Sequence, residues 1–271
     1  MRADSGGVCI EYDVTGPDDG TPVVLVHGFP DTGQVWRHQV GALAEAGLRV
    51  IVPDMRGCGR SGGPDAVEAY DILYLAGDVI AVLDDLGVER AAIVGHDWGA
   101  AIAWALATLA GPRVERMVAM SVGHPTAFRS AGLAQQEKSW YMLLFYIPEV
   151  AERWLSDNGW ANLHNWSGHP DADAVAADLQ RHNSLTSSLN WYRANLPPET
   201  WVDPPPSLPP VQCPVMGVWS SRDFALLEAQ MTASAPFCAG GFTYQRIEDA
   251  GHWLQLDAPA TVSRLLIDFL T

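Results

Sequence analysis

The stretch Ala92-Ile93-Val94-Gly95-His96-Asp97-Trp98-Gly99-Ala100-Ala101 constrains this chain more than any other. A β-branched apolar run stops at a small-residue turn, and an apolar helical pattern continues from Ile102 to Leu109. Strand, sharp turn and helix follow one another without a linker. The turn reads Gly-x-Asp-x-Gly, the spacing of a nucleophile elbow with Asp where Ser usually stands. Gly95 and Gly99 suit so tight a turn because strand and helix backbones come too close there for a Cβ. Trp98 offers its backbone N–H at a helix N-terminus, a position that favours anions. Asp at the tip narrows the chemistry. A carboxylate attacking an acyl carbon gives a mixed anhydride, whereas attack on an alkyl carbon gives an ordinary ester that activated water can hydrolyse. In the alternative reading Asp97 is a helix cap, yet a cap needs neither flanking glycines nor a buried strand before it. The elbow points to displacement at saturated carbon, one bearing an epoxide oxygen or a halide.

Length and composition set the frame for that elbow. A chain of 271 residues with 48% hydrophobic and 18% charged residues can bury a large core, either as two domains or as one large α/β domain. The net charge of −16 argues against nucleic acid, whose phosphates need clustered Lys and Arg. Cys9, Cys58, Cys213 and Cys238 are far apart and show no metal-like spacing. Neither a signal-like N-terminus nor a bilayer-spanning apolar run is present. The expectation is a soluble cytoplasmic enzyme with no cofactor, no metal and no membrane partner.

The chain around the elbow alternates strand and helix. Strands are expected at Val8–Val14, Val23–Val26, Val50–Val52 and Val114–Val122, with helices at about Gln34–Ala46 and Tyr70–Leu86. In the second helix Leu73, Ala76, Ile80 and Leu83 are expected on one apolar face. This alternation implies a mainly parallel sheet with helices on both faces. The glycine-rich loop from Asp54 to Gly62 lacks the ending of a phosphate cradle and reads as a structural turn, with Asp54 and Arg56 bonding within it.

After Gly123-His124-Pro125 the pattern changes. Helices are expected at Gln135–Leu144, Val150–Leu155 and Ala172–Gln180, followed by a proline-dense connector from 197 to 210. The sheet pattern resumes at Val215–Trp219 and Phe242–Ile247, and a helix from Ala258 to Leu270 closes the chain. Residues 1–125 and 209–271 are thus expected to form one α/β core, and 126–208 a helical cap above the C-terminal edge of its sheet.

That edge collects the polar residues. His27-Gly28-Phe29-Pro30 follows a buried strand, which places the Phe29 N–H beside that of Trp98 to form an anion hole, unless the segment is an ordinary connecting loop. His27 reads as a buried structural histidine. Asp223 follows the strand ending at Trp219, and Gly251-His252 follows the last strand. Asp97, Asp223 and His252 come in the chain order nucleophile, acid, base. Glu248 and Asp249 are rival acids, crowded into the same loop as His252.

Over nearly its full length the chain resembles the α/β-hydrolase superfamily, and within it the epoxide hydrolases related to the soluble mammalian enzyme. The resemblance rests on His27-Gly28-Phe29-Pro30, Gly95-His96-Asp97-Trp98-Gly99, Asp223 and Gly251-His252. Leu189-Asn190-Trp191-Tyr192-Arg193 is similar to the segment whose Tyr faces the nucleophile, and Tyr141, or else Tyr146, falls where the family has its second active-site Tyr. The Ser220-Ser221-Arg222 approach to Asp223 is a departure, since the family more often has a glycine there. The resemblance implies an epoxide hydrolase forming a vicinal diol through an Asp97 ester. In that reading Tyr141 and Tyr192 hold the leaving oxygen, and His252, oriented by Asp223, activates water. Trp140, Phe145 and Trp191 suggest an apolar small-molecule epoxide as substrate. A haloalkane dehalogenase is the main alternative. Many of those enzymes carry Asn after the His-Gly pair, where this chain has Phe29, and a fluoroacetate dehalogenase would need an Arg near the elbow. A non-catalytic ligand binder on the same fold is a further alternative. Oligomeric state is not legible.

Overall fold

The computed structural model describes residues 1–271. Short apolar runs bounded by turns become eight strands in one sheet: β1 (Arg2–Ser5), β2 (Val8–Thr15), β3 (Thr21–Val26), β4 (Leu48–Pro53), β5 (Ala91–His96), β6 (Val114–Met120), β7 (Val215–Ser220) and β8 (Phe242–Ile247). Their spatial order is β1-β2-β4-β3-β5-β6-β7-β8. From β4 through β8 all neighbours are parallel, while β1 and β2 form an antiparallel edge. β5 is buried along its whole length, as a central parallel strand covered on both faces must be. Successive side chains of β3 and β4 enter two separate hydrophobic clusters: Val24, Val26 and Ile51 one, Val23, Leu25, Val50 and Val52 the other.

The helices of the core are α1 (Arg37–Glu45), α2 (Ile72–Asp85) and α3 (Trp98–Leu109). In α2 the buried stripe is Leu75, Ala76, Val79, Val82 and Leu83, while Leu73 is exposed, contrary to the expected face. The helix is turned so that Asp78 points inward and forms a buried ion pair with Arg56. An uncompensated charge there would be costly, and the pair compensates it on the inward face of the helix. Asp54 accepts bonds from the Gly33 N–H and from Arg60, which makes the glycine-rich loop a braced turn.

Between β6 and β7 the chain forms six α-helices and no strand: α4 (Pro125–Arg129), α5 (Leu133–Lys138), α6 (Trp140–Phe145), α7 (Val150–Ser167), α8 (Ala172–His182) and α9 (Leu185–Asn195). The single helix expected over Gln135–Leu144 is two, separated at Ser139, and α7 runs well beyond Leu155 with a break at Asp157–Trp160. Tyr141, Phe145, Leu155, Trp191 and Tyr192 join the same hydrophobic cluster as Val26 and Ile93, so these helices share one face's core. The chain returns through a proline-rich stretch to β7, which α10 (Glu228–Thr232) follows, and α11 (Leu254–Asp257) and α12 (Pro259–Leu270) come after β8.

Candidate active site

The elbow between β5 and α3 has little freedom. A Cβ on Gly95 would lie 2.1 Å from the Gly99 carbonyl oxygen, and one on Gly99 would lie 2.0 Å from that of Val26. Asp97 at the tip has φ 53° and ψ −123°, a conformation that is strained for a residue with a side chain. Its carboxylate makes no cap bond to α3, which disposes of the capping alternative. Instead Oδ1 accepts the Phe29 N–H at 2.9 Å. Gly28 makes that approach possible, since a Cβ there would meet Asp97 Oδ1 at 2.4 Å. Trp98 opens α3, so its N–H is among those that no helix carbonyl satisfies. His27 accepts the Met55 N–H at Nε2 (2.9 Å) and donates from Nδ1 to the Gly28 carbonyl (3.0 Å), a buried bracing role.

The loops after β7 and β8 bring the other two residues to the elbow. His252 Nε2 lies 3.6 Å from Asp97 Oδ2, and Nδ1 lies 3.0 Å from Asp223 Oδ2. The other Asp223 oxygen accepts the Ala225 and Leu226 N–H groups at 2.8 and 2.9 Å. Burial pushes Asp223 up, but the His252 charge and these bonds outweigh it and hold the carboxyl below the usual range. For His252 burial acts downward, yet Asp223 and then Asp97 override it and lift the imidazole to about 10. Both neighbouring carboxylates thus favour the charged form of the imidazole. Glu248 and Asp249 face away, pairing with Arg246 and Arg222.

A stability prediction follows from the raised His252. With a folded-state value of about 10 and an ordinary value of 6.5, the native state holds more protons between those limits. The contribution is full below pH 6.5 and is lost as pH rises toward 10. Chemical denaturation across that window should give an unfolding free energy that falls with pH, and His252→Gln should flatten that fall.

Two phenols complete the constellation. Tyr141 and Tyr192 are buried with ring centroids 6.3 Å apart. Burial, then the nearby Asp97 charge, raises both well above the ordinary phenol value, so both are neutral donors at any working pH. Tyr192 is wedged edge-on against Trp98 (5.1 Å) and Phe29 (5.3 Å). Tyr146 instead lines a separate cleft with Glu68 and Arg193. A cavity of about 310 Å³ starts at Asp97 and follows the α3 stripe Ala101, Ala105 and Leu109, walled opposite by Phe128, Met142 and Leu196.

The three aromatic residues expected to contact substrate do not line this cavity. Phe145 is fully buried behind Tyr192 and Phe29. Trp191 packs on His27 and donates to the Arg56 carbonyl at 3.2 Å. Trp140 is 47% exposed and sits edge-on against Trp154. The reason is helical phase: the face of α6 that carries Tyr141 and Phe145 inward turns Trp140, about 100° away, to the outside. Phe145 and Trp191 are supports, and Met142 takes the lining position.

Several residues that have a hold on the site were given no role from the sequence. His96 Nε2 donates to the His252 carbonyl at 2.9 Å and Ser121 Oγ bonds the same oxygen at 3.3 Å. Burial and the neighbouring His252 push His96 down to about 4, so it is a neutral strut. Lys138 is the only lysine in the chain, and its Nζ donates to the Asp223 and Phe224 carbonyls at 2.9 and 3.2 Å. Gln135 grips the next turn through the Ala225 carbonyl and the Leu227 N–H. A solitary lysine in an acidic chain was the available signal, but nothing local says which loop it reaches. Hydrogen bonds from a charged donor contribute about 1.5–3 kcal/mol. Steady-state kinetics of Lys138→Ala should show kcat down about tenfold with KM little changed, and Lys138→Arg should recover part of the loss.

The alpha/beta hydrolase fold family matches residues 21–259. The AB hydrolase superfamily protein YfhM of Bacillus subtilis is 31% identical, aligned over 98% of this chain and 96% of its own. Epoxide hydrolase A of Mycobacterium tuberculosis is 32% identical over 99% of this chain and 96% of its own. The crystal structure of a mutant Bacillus megaterium epoxide hydrolase complexed with its product (R)-3-[1]naphthyloxy-propane-1,2-diol superposes with a TM-score of 0.86, at 26% identity, covering 100% of this chain and 99% of that one. No helix is long and apolar enough to cross a membrane. Matched in this way along its whole length, the chain belongs to the α/β-hydrolase superfamily and, within it, to the epoxide hydrolase family.

Proposed function

We propose that this protein hydrolyses epoxides to vicinal diols through a covalent Asp97 ester, with the helices of residues 126–208 serving as a cap that carries the acid groups. The observation that carries the reading is the pair of buried phenols on α6 and α9, 6.3 Å apart, with Tyr192 lining the cavity beside Asp97 and edge-on to Trp98. Opening an epoxide expels an alkoxide, which needs a proton or a strong hydrogen bond, whereas a halide needs neither phenol. Displacement chemistry without a proton donor leaves both tyrosines idle, so the epoxide reading is favoured over dehalogenation.

Asp97 attacks one ring carbon as its C–O bond breaks, and the departing oxygen, held by Tyr141 and Tyr192, takes a proton from one of these phenols to become the hydroxyl of a hydroxyalkyl ester. His252, kept in register by Asp223, then takes a proton from water as that water attacks the ester carbonyl. The developing oxyanion is the former Asp97 carbonyl oxygen, and the Phe29 N–H already lies 2.9 Å from Oδ1 with Trp98 adjacent in sequence. The apolar wall of the 310 Å³ cavity suits an alkyl or aryl epoxide, in keeping with the naphthyloxy diol held by the Bacillus megaterium relative.

A single turnover of styrene oxide in H₂¹⁸O tests this. Ester chemistry puts the label into the Asp97 carboxylate and leaves the first diol unlabelled. Label appearing directly in the diol would replace the ester with attack by water on the ring.

A further inference from the structure

His169, in the turn between α7 and α8, is buried although nothing in the proposed chemistry uses it. Its Nδ1 accepts the Asp171 N–H at 2.8 Å, so the ring proton is on Nε2, which donates to Asp31 Oδ1 at 3.0 Å. Asp31 lies in the loop after β3, two residues beyond Phe29, and is itself 5% exposed. Its other oxygen accepts the Trp253 indole N–H at 2.8 Å. Trp253 follows His252 directly, and their rings meet edge-on at 4.9 Å. His169 also packs on Trp253, with centroids 4.2 Å apart. The hydrogen bonds to the loop 248–253 come directly from core residues, Asp31 among them with Ser121, His96, Ser220, Ser221, Arg222, Asp223, Leu256 and Asp257, so the cap reaches this loop's hydrogen bonding through Asp31.

We propose that His169 is a positioning residue for the hydrolysis half-reaction, acting from the cap through Asp31 and Trp253 to fix the loop that carries His252. This rests on the reading of His252 as the base of the second step. A buried carboxylate with only one donor is poorly compensated and favours its protonated form. His169 supplies the second donor. It keeps Asp31 ionised, which makes the bond to the Trp253 indole charge-assisted and strong. Attack by Asp97 on the ring does not depend on where His252 sits, but proton removal from water does. Loosening Trp253 should therefore slow ester hydrolysis and spare ester formation, a split that general destabilisation would not produce.

His169→Phe keeps ring volume and contact with Trp253 while removing the N–H, and His169→Gln restores a donor. Rapid-quench mass spectrometry with styrene oxide reads the two steps separately. The expected result for His169→Phe is ester formation within about twofold of wild type and hydrolysis slowed about tenfold, with ester accumulating and Gln recovering most of the rate. Equal slowing of both steps, or none, would overturn the proposal. Trp253→Phe removes the other end of the same link and should give the same split, with the double variant less than additive. It also stands in should His169→Phe fail to fold. The Trp253 indole proton, followed by NMR exchange, is independent of turnover. It should be protected in wild type and in His169→Gln and exposed in His169→Phe, and continued protection there would also overturn the link. If the wild-type enzyme turned over no epoxide, the functional reading would fall while this exchange result still decided whether His169 anchors Trp253.

Discussion

His252→Ala, incubated with styrene oxide and weighed intact, should gain the mass of one whole epoxide and stay there. In the proposed mechanism the first step uses only the Asp97 carboxylate and the two phenols, all retained in this variant. The second step needs a base, and removal of a positioned general base costs about 10²–10⁴ in rate. The adduct should therefore accumulate on the scale of minutes, map to the peptide containing Asp97, and vanish in the Asp97→Ala, His252→Ala double variant. A haloalkane run in parallel should leave the mass unchanged. A gain of an alkyl group without its halogen, from that substrate alone, would turn the assignment to dehalogenation. No adduct from either substrate would leave the fold in place and remove Asp97 from the chemistry.

The second large effect is expected at the phenols. Tyr141→Phe and Tyr192→Phe each delete one hydroxyl while keeping the ring and its packing against Trp166 or Trp98. Removing one donor to a developing oxyanion costs about 10²–10³ in rate. Each single variant keeps one phenol, so the loss should sit at the lower end of that range, and the double variant should lose about 10³ or more in the rate of ester formation. Single-turnover measurements isolate that step from hydrolysis. Full-rate opening of styrene oxide by the double variant would refute the role given to both tyrosines. Thermal denaturation should show the double variant folded, because the substitutions conserve volume.

How much of this was legible without coordinates varies from element to element, and the reason is local. The elbow was readable because its constraint lies within five consecutive residues: Gly95 and Gly99 permit one turn, and Asp97 stands at its tip. The sheet strands were readable because runs such as Val23–Val26 are buried on both faces and leave a continuous apolar signature. β1 was missed, since a four-residue edge strand with two exposed positions has no such signature. The α2 face was misplaced because Asp78, buried and paired with Arg56, shares the inward face with Leu75, Val79 and Val82, and a buried charge looks polar in a sequence.

Sequence alone thus determined the elbow that holds Asp97, the class of sheet that presents it and the chain order in which Asp223 and His252 reach the same edge. These are properties of short segments, where backbone sterics and apolar periodicity act between near neighbours. Tertiary structure decided what those segments meet. It selected Tyr141 over Tyr146 for proximity to Asp97, and it turned Trp140 outward while making Phe145 and Trp191 supports rather than substrate contacts. It also brought Lys138 to the Asp223 loop and linked His169 to Trp253 through Asp31. Such contacts join residues up to 222 positions apart. They depend on helical phase and on how the inserted helices pack against the sheet edge, and no residue pattern along the chain records either.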